Sequence, residues 1–264
     1  MEDSEIDSFF RVRDKEPRIV DKDLFETVEE VFDKATVQAI LKLMRRGVLH
    51  SLKGVVSAGK ESRVYWGKGS GGRDLAVKIY LTSSAEFRKG MMKYIVGDHR
   101  FDKSVPKSTR KLVILWAKKE FNNFTEFYKA GVSVPEPICQ YENVLVMEFV
   151  GENGVRAPLL READLTLEEY TMIFREIVED VRKAYLRAGL IHGDLSEYNV
   201  MVWNGKHYII DVSQAVPVTH PNAAELLLRD LRNITSFFNE MGVSVPPLSK
   251  VLQYVTGEIN ELEY

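Results

Sequence analysis

The segment 166–211 constrains the fold most, because it places a polar loop between a long helix and a β-hairpin. A capping box begins the helix at Thr166, apolar residues follow on one face, and Gly189 ends it. The loop IHGDLSEYNV occupies residues 191–200, and the hairpin after it turns at Asn204-Gly205. The loop contains a histidine, two acids and an asparagine, so it is either an ordinary polar turn or part of a reaction centre.

Three side chains around this hairpin have the spacing of a phosphoryl-transfer site. Asp194 precedes Asn199 by five residues, and Asp211 follows Asn199 by twelve, beyond the hairpin. Such a site needs a carboxylate near the acceptor hydroxyl and oxygen ligands for a metal ion. We predict that Asp194 is that carboxylate and that Asn199 and Asp211 bind metal; a polar β-turn is the alternative. His192 lacks a metal-site pattern and is expected to bind the loop backbone.

A second pair of charged residues, Lys78 and Glu120, lies in apolar surroundings. Lys78 is in the strand pattern LAVKIYL, and Glu120 interrupts the apolar face of a helix predicted over residues 111–130. A carboxylate within such a face requires a cationic partner or hydrogen bonds. We predict that Glu120 pairs with Lys78 and holds its ammonium toward nucleotide phosphates. The alternatives are an edge-strand lysine that points to solvent and a glutamate at the margin of the apolar face.

A short run between two strand patterns has the composition of a phosphate-covering loop. It consists of Ser57, Ala58, Gly59, Lys60, Glu61 and Ser62. Small residues leave backbone N–H groups accessible to phosphates, and the lysine adds positive charge. The glycine and lysine spacing of a Walker loop is absent, and a run with one glycine also fits a plain hairpin turn.

Composition limits the classes of function. Hydrophobic residues make up 45% and charged residues 28% of the 264 residues, and the net charge of -3 gives no overall basic signal for nucleic acid. The single cysteine, Cys139, excludes a disulfide framework and a cysteine-rich zinc site. The N-terminus has no signal-peptide pattern, and no apolar run reaches the ~18 residues of a membrane span. We expect a cytoplasmic protein with no membrane partner.

The order of patterns along the chain predicts two lobes. Residues 1–47 form an N-terminal arm and helix, and residues 48–147 form a β-rich lobe with one long helix. Residues 82–109 have no clean period, so we predict a flexible insertion there. Residues 148–151 are the hinge, and residues 152–264 form a helical lobe that carries the catalytic and metal loops.

These motifs resemble, in chain order, the signature set of protein kinases. The phosphate loop is SAGKES, the lysine strand LAVKIY, the helix acid Glu120, the catalytic loop HGDLSEYN and the metal loop IDVSQ. Two motifs depart from the ordinary set, because HRD is replaced by HGD and DFG by Asp211-Val-Ser213. No A-P-E motif follows, so we expect neither an activation segment nor a peptide-docking subdomain.

The motifs that depart from the ordinary set resemble those of the RIO family of atypical protein kinases. SAGKESRVYWG is similar to the S-x-G-K-E loop of that family, and HGDLSEYN, IDVSQAV, His220-Pro221 and LLLRDLRNITSFF are closest to its Rio-one subgroup. The metal loop and winged-helix domain of the second subgroup are not apparent. The resemblance spans about residues 50–240. The chain has no long basic C-terminal tail, which is similar to the compact prokaryotic, archaeal-like form.

The resemblance implies an α+β class and a trimmed bilobal protein-kinase-like fold with an N-terminal helical extension. It implies an ATP-dependent serine/threonine kinase that uses Mg²⁺ or Mn²⁺ and phosphorylates itself as well as a protein substrate. It also implies a role in maturation of the small ribosomal subunit, and hence association with the precursor of that subunit. Family members resemble ATPase switches as well, with phosphate passing to the metal-loop aspartate, here Asp211.

The resemblance assigns roles to single residues. Lys78, Asp194 and Asp211 are the catalytic residues, Glu120 supports Lys78, and Asn199 and Asp211 bind the metal. The implied ATP-binding residues are Ser57, Ala58, Gly59, Lys60, Glu61, Ser62, Val64, Ala76, Lys78, Met147, Glu148, Val150, Met201 and Ile210. Among them, Met147 is the gatekeeper, and the backbones of Glu148 and Val150 bind adenine.

Two further features concern turnover and self-modification. Ser196 replaces a lysine found at this place in many ordinary protein kinases, which removes a cation near the γ-phosphate and predicts slow chemistry. The candidates for autophosphorylation lie in and beside the insertion: Ser83, Ser84, Ser104 and Ser108.

Two other functions remain open. HGDL with a later asparagine also resembles small-molecule phosphotransferases of the aminoglycoside or choline kinase type. Those proteins favour His-x-x-Asn after HGDL, whereas this chain has Ser-Glu-Tyr-Asn. An ATPase-type assembly factor with little protein kinase activity would use the same residues as a kinase.

Overall fold

A five-stranded antiparallel sheet is the centre of the first lobe. The structure is a computed structural model that describes residues 32–81, 85–101 and 105–263. The strands are β1 (Ser51–Ala58), β2 (Ser62–Lys68), β3 (Asp74–Tyr80), β4 (Pro137–Tyr141) and β5 (Val144–Glu148), in the order β1-β2-β3-β5-β4. Since β3 pairs with a strand on each side, Lys78 does not lie on a sheet edge, and the edge-strand alternative is wrong.

Alternation along β3 divides its side chains between the two faces of the sheet, as predicted. Leu75, Val77 and Ile79 are buried in a cluster with helix α1 (Lys34–Arg45), whose start is capped by the side chain of Asp33. The opposite face of β3 is turned toward the rest of the molecule and carries Lys78. The predicted N-terminal arm lies outside the described residues.

The insertion contains a helix that the sequence pattern did not predict. Helix α2 spans Ala85–Ile95, so the prediction of an irregular segment is wrong there. Met91 and Ile95 are buried in a cluster with Trp116. The apolar period is too short to detect in sequence, because α2 has few turns and Gly90 lowers helix propensity in its middle.

Helix α3 (Thr109–Ala130) connects the sheet to the second lobe. It ends at Gly131, whose φ of 79° forms the left-handed cap that the sequence predicts. Its buried residues include Trp116, Glu120, Phe124 and Phe127, which agrees with the predicted apolar face. The helix therefore presents one buried carboxylate to the region between the lobes.

The second lobe is mainly helical. Its helices are α4 (Leu167–Lys183), α5 (Ala223–Glu240) and α6 (Leu248–Thr256), and its short strands are β6 (Gly151–Glu152), β7 (Val155–Arg156), β8 (Leu190–Ile191), β9 (Val200–Trp203), β10 (Lys206–Ile209) and β11 (Val216–Pro217). The predicted capping box at Thr166 and Glu169 is present, and β9 and β10 form the predicted hairpin. Among the helices of the described ranges, none has the length and apolarity to cross a membrane.

The hinge region requires a glycine at Gly151. Its φ is 141°, and a Cβ there would lie 2.2 Å from the backbone oxygen of Val155. A side chain would therefore collide with the strand that pairs with β6 directly after the hinge. The boundaries predicted for the hinge and the two lobes, and the flexibility of the insertion, stay predictions.

Asp180 joins α4 to two neighbouring segments, and its loss is expected to destabilise the second lobe. Its carboxylate, 3% exposed, accepts hydrogen bonds from His207 at 2.9 Å, Lys183 at 2.7 Å and the Ser133 backbone at 2.8 Å. Burial would raise the pKa of Asp180, but these partners outweigh it and lower the pKa. We expect Asp180→Asn to reduce the free energy of unfolding by about 3 kcal/mol at pH 7.

The pH dependence follows from the sign of that shift. Since the pKa of Asp180 is lower in the folded state, its stabilisation is present above the ordinary value of 3.8 and is lost as pH falls through the folded value. Urea unfolding should show a larger difference between variant and wild type at pH 7 than near pH 3. Asp164→Asn, at an exposed acid, is the control. An equal difference at both pH values would contradict the expectation.

Candidate active site

Lys78 is held between two carboxylates at the junction of the lobes. Its Nζ lies 2.7 Å from Glu120 Oε1 and 3.1 Å from Asp211 Oδ1. Burial alone would lower the pKa of Lys78, but the charges of Asp211 and Glu120 outweigh it and raise the pKa. Glu120 is fully buried and also accepts the Tyr80 hydroxyl, so a position at the margin of the helix face is wrong. The ammonium is therefore charged and fixed.

The metal loop, residues 211–215, begins with an unusual backbone conformation. Asp211 has φ 55°, in the left-handed region that aspartate tolerates better than most residues. Its Oδ1 accepts from Ser213 Oγ at 3.0 Å as well as from Lys78. Its side chain is 49% exposed, toward the cleft. Partial desolvation inside the cleft opposes ionisation, but Lys78 and Ser213 outweigh it and lower the pKa of Asp211, so the carboxylate is negative.

The catalytic loop, residues 192–199, brings Asp194 and Asn199 together. Asn199 Nδ2 donates to the backbone oxygen of Asp194 at 2.8 Å. Gln214 of the metal loop donates its Nε2 to Asp194 Oδ2 at 3.0 Å. Burial raises the pKa of Asp194, with Arg229 opposing the shift. A carboxylate of raised pKa is a better proton acceptor, which suits interaction with a hydroxyl.

His192 contacts the loop backbone, as the sequence leads us to expect. Its Nε2 lies 3.1 Å from the backbone oxygen of Ile210, and the Asp194 backbone N–H donates to its Nδ1 at 3.2 Å. These contacts together require a neutral ring with the proton on Nε2. Burial lowers the pKa of His192 to about 4, so the ring is neutral at pH 7. His192 thus connects the catalytic loop to the residue before Asp211.

A cavity of about 230 Å³ lies beside the Lys78–Asp211 pair. Its walls come from the β1–β2 turn, β3, α2, α3 and the metal loop, and include Glu61, Ser62, Lys78, Tyr94, Asp211 and Gln214. The other predicted phosphate-loop residues are exposed and do not line it: Ser57 and Ala58 at the end of β1, and Gly59 and Lys60 on the turn. Asp194 lies outside the lining and accepts a hydrogen bond from Gln214, and Asn199, also outside it, binds the backbone of Asp194. The cavity therefore lies beside the lysine that the sequence predicts to contact nucleotide phosphates.

The other side chains predicted to bind ATP come from both lobes. Ala76 and Met147 belong to the core cluster that continues into the second lobe, and Val64 packs against that cluster. Met201 lies on β9, and Ile210 directly precedes the metal loop. At the hinge, the Glu148 N–H donates to Glu136 O and the Val150 oxygen accepts from Ala157 N–H, both at 2.9 Å. The prediction that these two backbones bind adenine therefore concerns the Glu148 oxygen and the Val150 N–H.

Asp230 on α5 organises the catalytic loop and was missed by sequence reasoning. Its carboxylate accepts the backbone N–H of Gly193 at 2.7 Å and that of Leu195 at 2.9 Å. Burial raises the pKa of Asp230 to about 7. The signal was present, because Asp230 interrupts the apolar face of α5 as Glu120 interrupts that of α3.

We expect Asp230→Asn to weaken the catalytic loop. An amide has one acceptor atom, so a buried backbone N–H of the loop loses its partner, at a cost of about 1–3 kcal/mol in the free energy of unfolding. Urea unfolding measures this cost, and Glu225→Gln, at an exposed acid on the same helix, is the control. Equal stability of Asp230→Asn and Glu225→Gln would show that Asp230 does not support the loop.

Comparison with known proteins places this site in a family. A model of the RIO domain matches residues 63–251 of the chain. The chain belongs to the RIO family. Within that family, it is 40% identical over 264 residues to the RIO-type serine/threonine-protein kinase Rio1 of Haloferax volcanii, covering 98% of this chain and 89% of that protein.

Two eukaryotic relatives of this RIO chain are longer. It is 40% identical over 246 residues to serine/threonine-protein kinase RIO1 of Caenorhabditis elegans, covering 93% of this chain and 48% of that protein. The human serine/threonine-protein kinase RIO1 is 37% identical over 248 residues, covering 94% and 42%. The chain thus spans about half the length of these two relatives. The predicted family and Rio-one likeness are confirmed, and the relatives have the predicted enzyme class.

A solved structure confirms the fold. The Rio2 kinase of Chaetomium thermophilum, in an ADP/Mg²⁺-phosphoaspartate complex, matches with a TM-score of 0.61 at 26% identity, over 83% of this chain and 65% of that one. The α+β, kinase-like fold predicted from the sequence is therefore confirmed. The roles of the individual site residues stay predictions.

Proposed function

We propose that this RIO-family chain transfers the γ-phosphoryl group of ATP to serine or threonine hydroxyls of proteins. The observation that carries the proposal is the buried Lys78 ammonium, held 2.7 Å from Glu120 and 3.1 Å from Asp211 beside a cavity of about 230 Å³. A fixed ammonium next to an ionised carboxylate suits a phosphate and its cation. The ADP/Mg²⁺ complex of the Chaetomium thermophilum Rio2 kinase supports the same chemistry.

The residues present fit a divalent cation, Mg²⁺ or Mn²⁺. Asn199 commits its Nδ2 to the Asp194 backbone, which leaves Oδ1, the atom that a cation requires. Asp211 uses Oδ1 for Lys78 and Ser213, while no described residue donates to its Oδ2. Within the described ranges, no three His, Cys, Asp or Glu side chains form a metal site. We therefore propose that the cation binds together with nucleotide phosphates and water, as Mg²⁺ usually does.

The proposed reaction gives each site residue one task. Lys78 contacts the α- and β-phosphates, and Asn199 and Asp211 hold the cation, which when bound neutralises phosphate charge. Asp194 orients the acceptor hydroxyl and takes its proton. The hydroxyl oxygen bonds to the γ-phosphorus as the bond to the bridging oxygen breaks, and ADP leaves. The Met147 side chain and the backbones of Glu148 and Val150 hold adenine.

A second candidate is an ATPase switch in which Asp211 itself accepts the phosphate. Its carboxylate is ionised and half-exposed toward the cavity, and the related Rio2 kinase complex contains phosphoaspartate. In this version a carboxylate oxygen of Asp211 bonds to the γ-phosphorus and ADP leaves. Water then hydrolyses the acyl phosphate to aspartate and inorganic phosphate. The relatives named above are protein kinases, which gives no support to a small-molecule phosphotransferase.

Mapping the phosphorylated residue distinguishes the two candidates. The protein is incubated with γ-labelled ATP and Mg²⁺, or Mn²⁺, and the label is located by mass spectrometry. Label on serine or threonine supports the kinase, and hydroxylamine-labile label on Asp211 supports the switch. Absence of label on either, together with absence of ADP formation, would overturn the proposal. Ser83, Ser84 and Ser104 lie outside the described residues, and Ser108 is exposed at the start of α3.

The cellular setting rests on the family resemblance. We propose that the chain works in the cytoplasm in maturation of the small ribosomal subunit and associates with the precursor of that subunit. Co-sedimentation of the protein with precursor subunits in the presence of ATP tests this. Recovery of the protein only in fractions that contain no ribosomal particles would contradict it.

A further inference from the structure

Two buried polar residues on α3 bind the backbone of the metal loop. Lys119 and Asn123 are one helical turn apart, and both are 0% exposed. Lys119 Nζ donates to the backbone oxygens of Ser213, at 3.1 Å, and Ala215. Asn123 Nδ2 donates to the oxygen of Val212 at 2.8 Å and more weakly to that of Ala215 at 3.3 Å. One helix thus binds three backbone carbonyl oxygens of the metal loop, those of Val212, Ser213 and Ala215.

The carbonyl oxygens are the main partners of the Lys119 ammonium. The nearest carboxylate oxygen, Asp98 Oδ2, lies 3.9 Å away. Asp98 is itself bound by Arg100, at 2.9 Å and 2.7 Å. Burial of an ammonium without a close counter-ion is unfavourable, and it lowers the pKa of Lys119 to about 7. The hydrogen bonds to the loop carbonyls are the contacts that offset this cost.

The position of Lys119 along α3 connects it to the Lys78 pair. The next residue, Glu120, binds Lys78 Nζ at 2.7 Å, and Lys78 in turn contacts Asp211 at 3.1 Å. One helix therefore holds both the ammonium and the backbone of the loop that carries Asp211. We infer that Lys119 and Asn123 are positioning residues that fix the metal loop to α3, so that Asp211 and the Lys78–Glu120 pair keep one relative position.

The effect of Lys119 and Asn123 on catalysis rests on the proposed function. Since the loop is held by its carbonyls, movement of α3 would displace Glu120 and Asp211 together. Loss of the Lys119 contacts should leave the Lys78–Glu120 pair in place but allow the metal loop to open. The expected consequence is weaker metal binding, while contacts with the nucleotide outside the metal site are retained.

The first experiment measures the loop directly and needs neither metal nor nucleotide. Hydrogen exchange of the 264-residue chain is followed by mass spectrometry in wild type, Lys119→Met and Lys118→Met. Lys118 is the exposed neighbour on the same helix and is the matched control. Peptides that cover residues 211–215 should exchange about tenfold faster in Lys119→Met only, while α5 peptides stay unchanged. Unchanged exchange in the metal loop would overturn the inference.

The second experiment separates positioning from general stability. ADP affinity is measured with EDTA and with Mg²⁺, and the ratio of the two is the metal-dependent gain. Removing a residue that orients a metal ligand typically costs about 10–100-fold in metal affinity, so Lys119→Met should reduce the gain by at least about tenfold and leave the EDTA affinity within twofold. Equal losses with and without Mg²⁺, or no loss, would contradict a positioning role. No metal-dependent gain in wild type would count against the proposed function instead, and exchange would still test the loop.

Asn123→Ala provides an independent variant if Lys119→Met does not fold. Asn123 Oδ1 is buried without a hydrogen-bond partner among the described residues, so the substitution also removes an unsatisfied oxygen. It should give the same two changes, each smaller than in Lys119→Met. These are faster hydrogen exchange in the metal loop and a reduced gain in ADP affinity with Mg²⁺. Wild-type behaviour of a folded Asn123→Ala protein in both measurements would reject the shared role.

Discussion

Asp211→Asn is expected to lower ATP-dependent phosphate transfer by about 10³-fold, because several kcal/mol of electrostatic stabilisation depend on the charged cation ligand. The amide keeps the shape of the side chain, and Lys78 keeps its contact with Glu120. Folding should therefore be little affected, while the metal site loses its carboxylate. Transfer of label from γ-labelled ATP, to serine or to the protein itself, is the measurement.

The control for this variant is Asp164→Asn, at an exposed acid before α4. ADP binding in EDTA should be similar in Asp211→Asn, Asp164→Asn and wild type, since the proposed hinge contacts are unchanged. With Mg²⁺, only Asp211→Asn should fail to bind more tightly. If Asp211→Asn turns over ATP at the wild-type rate, both the metal role of Asp211 and its role as phosphate acceptor are wrong.

The sequence predicted those site features that arise from local pattern. Alternation along β3 placed Lys78 on the face opposite Leu75 and Val77, and the structure has this arrangement. The helical period of α3 identified Glu120 as an acid within an apolar face, and the structure places it 2.7 Å from Lys78. Such inferences succeed because periodicity fixes which side chains share a face.

Features that depend on long-range contacts could not be derived in the same way. Lys119 is adjacent to Lys118 in sequence, and nothing local shows that one is fully buried and the other exposed. Its burial depends on the Ser213 carbonyl, ninety-four positions further along the chain. Helix α2 is stabilised by contacts with α3 rather than by its own period. Tertiary packing decides these cases.

Asp230 lies between these extremes. Its helix has a clear apolar face, so a buried acid was detectable by the reasoning that found Glu120. Its partners are backbone N–H groups of Gly193 and Leu195 rather than a charged side chain, and sequence does not show them. The lesson is physical: an acid in an apolar face predicts a partner, but the partner need not be a cation.

Glu120→Gln is expected to combine a large loss of stability with a large loss of turnover. The substitution removes the negative charge closest to a lysine whose side chain is 8% exposed. Removing one member of a buried ion pair costs about 3 kcal/mol or more in the free energy of unfolding. Glu126→Gln, at an exposed glutamate on the same helix, is the control and should change stability little. Urea unfolding and labelled-ATP turnover are the two measurements.

A double variant separates the structural part of this effect from the chemical part. Lys78→Met combined with Glu120→Gln removes both charges, so the penalty for a buried ammonium that has lost its nearest carboxylate disappears. The free energy of unfolding should recover to within about 1 kcal/mol of wild type, because neutral replacement of both partners is often tolerated. Turnover should not recover, since the ammonium that would contact the phosphates is gone. Recovered turnover in the double variant would show that Lys78 supports folding alone, and wild-type turnover in a folded Glu120→Gln protein would show that the pair does not position the nucleotide.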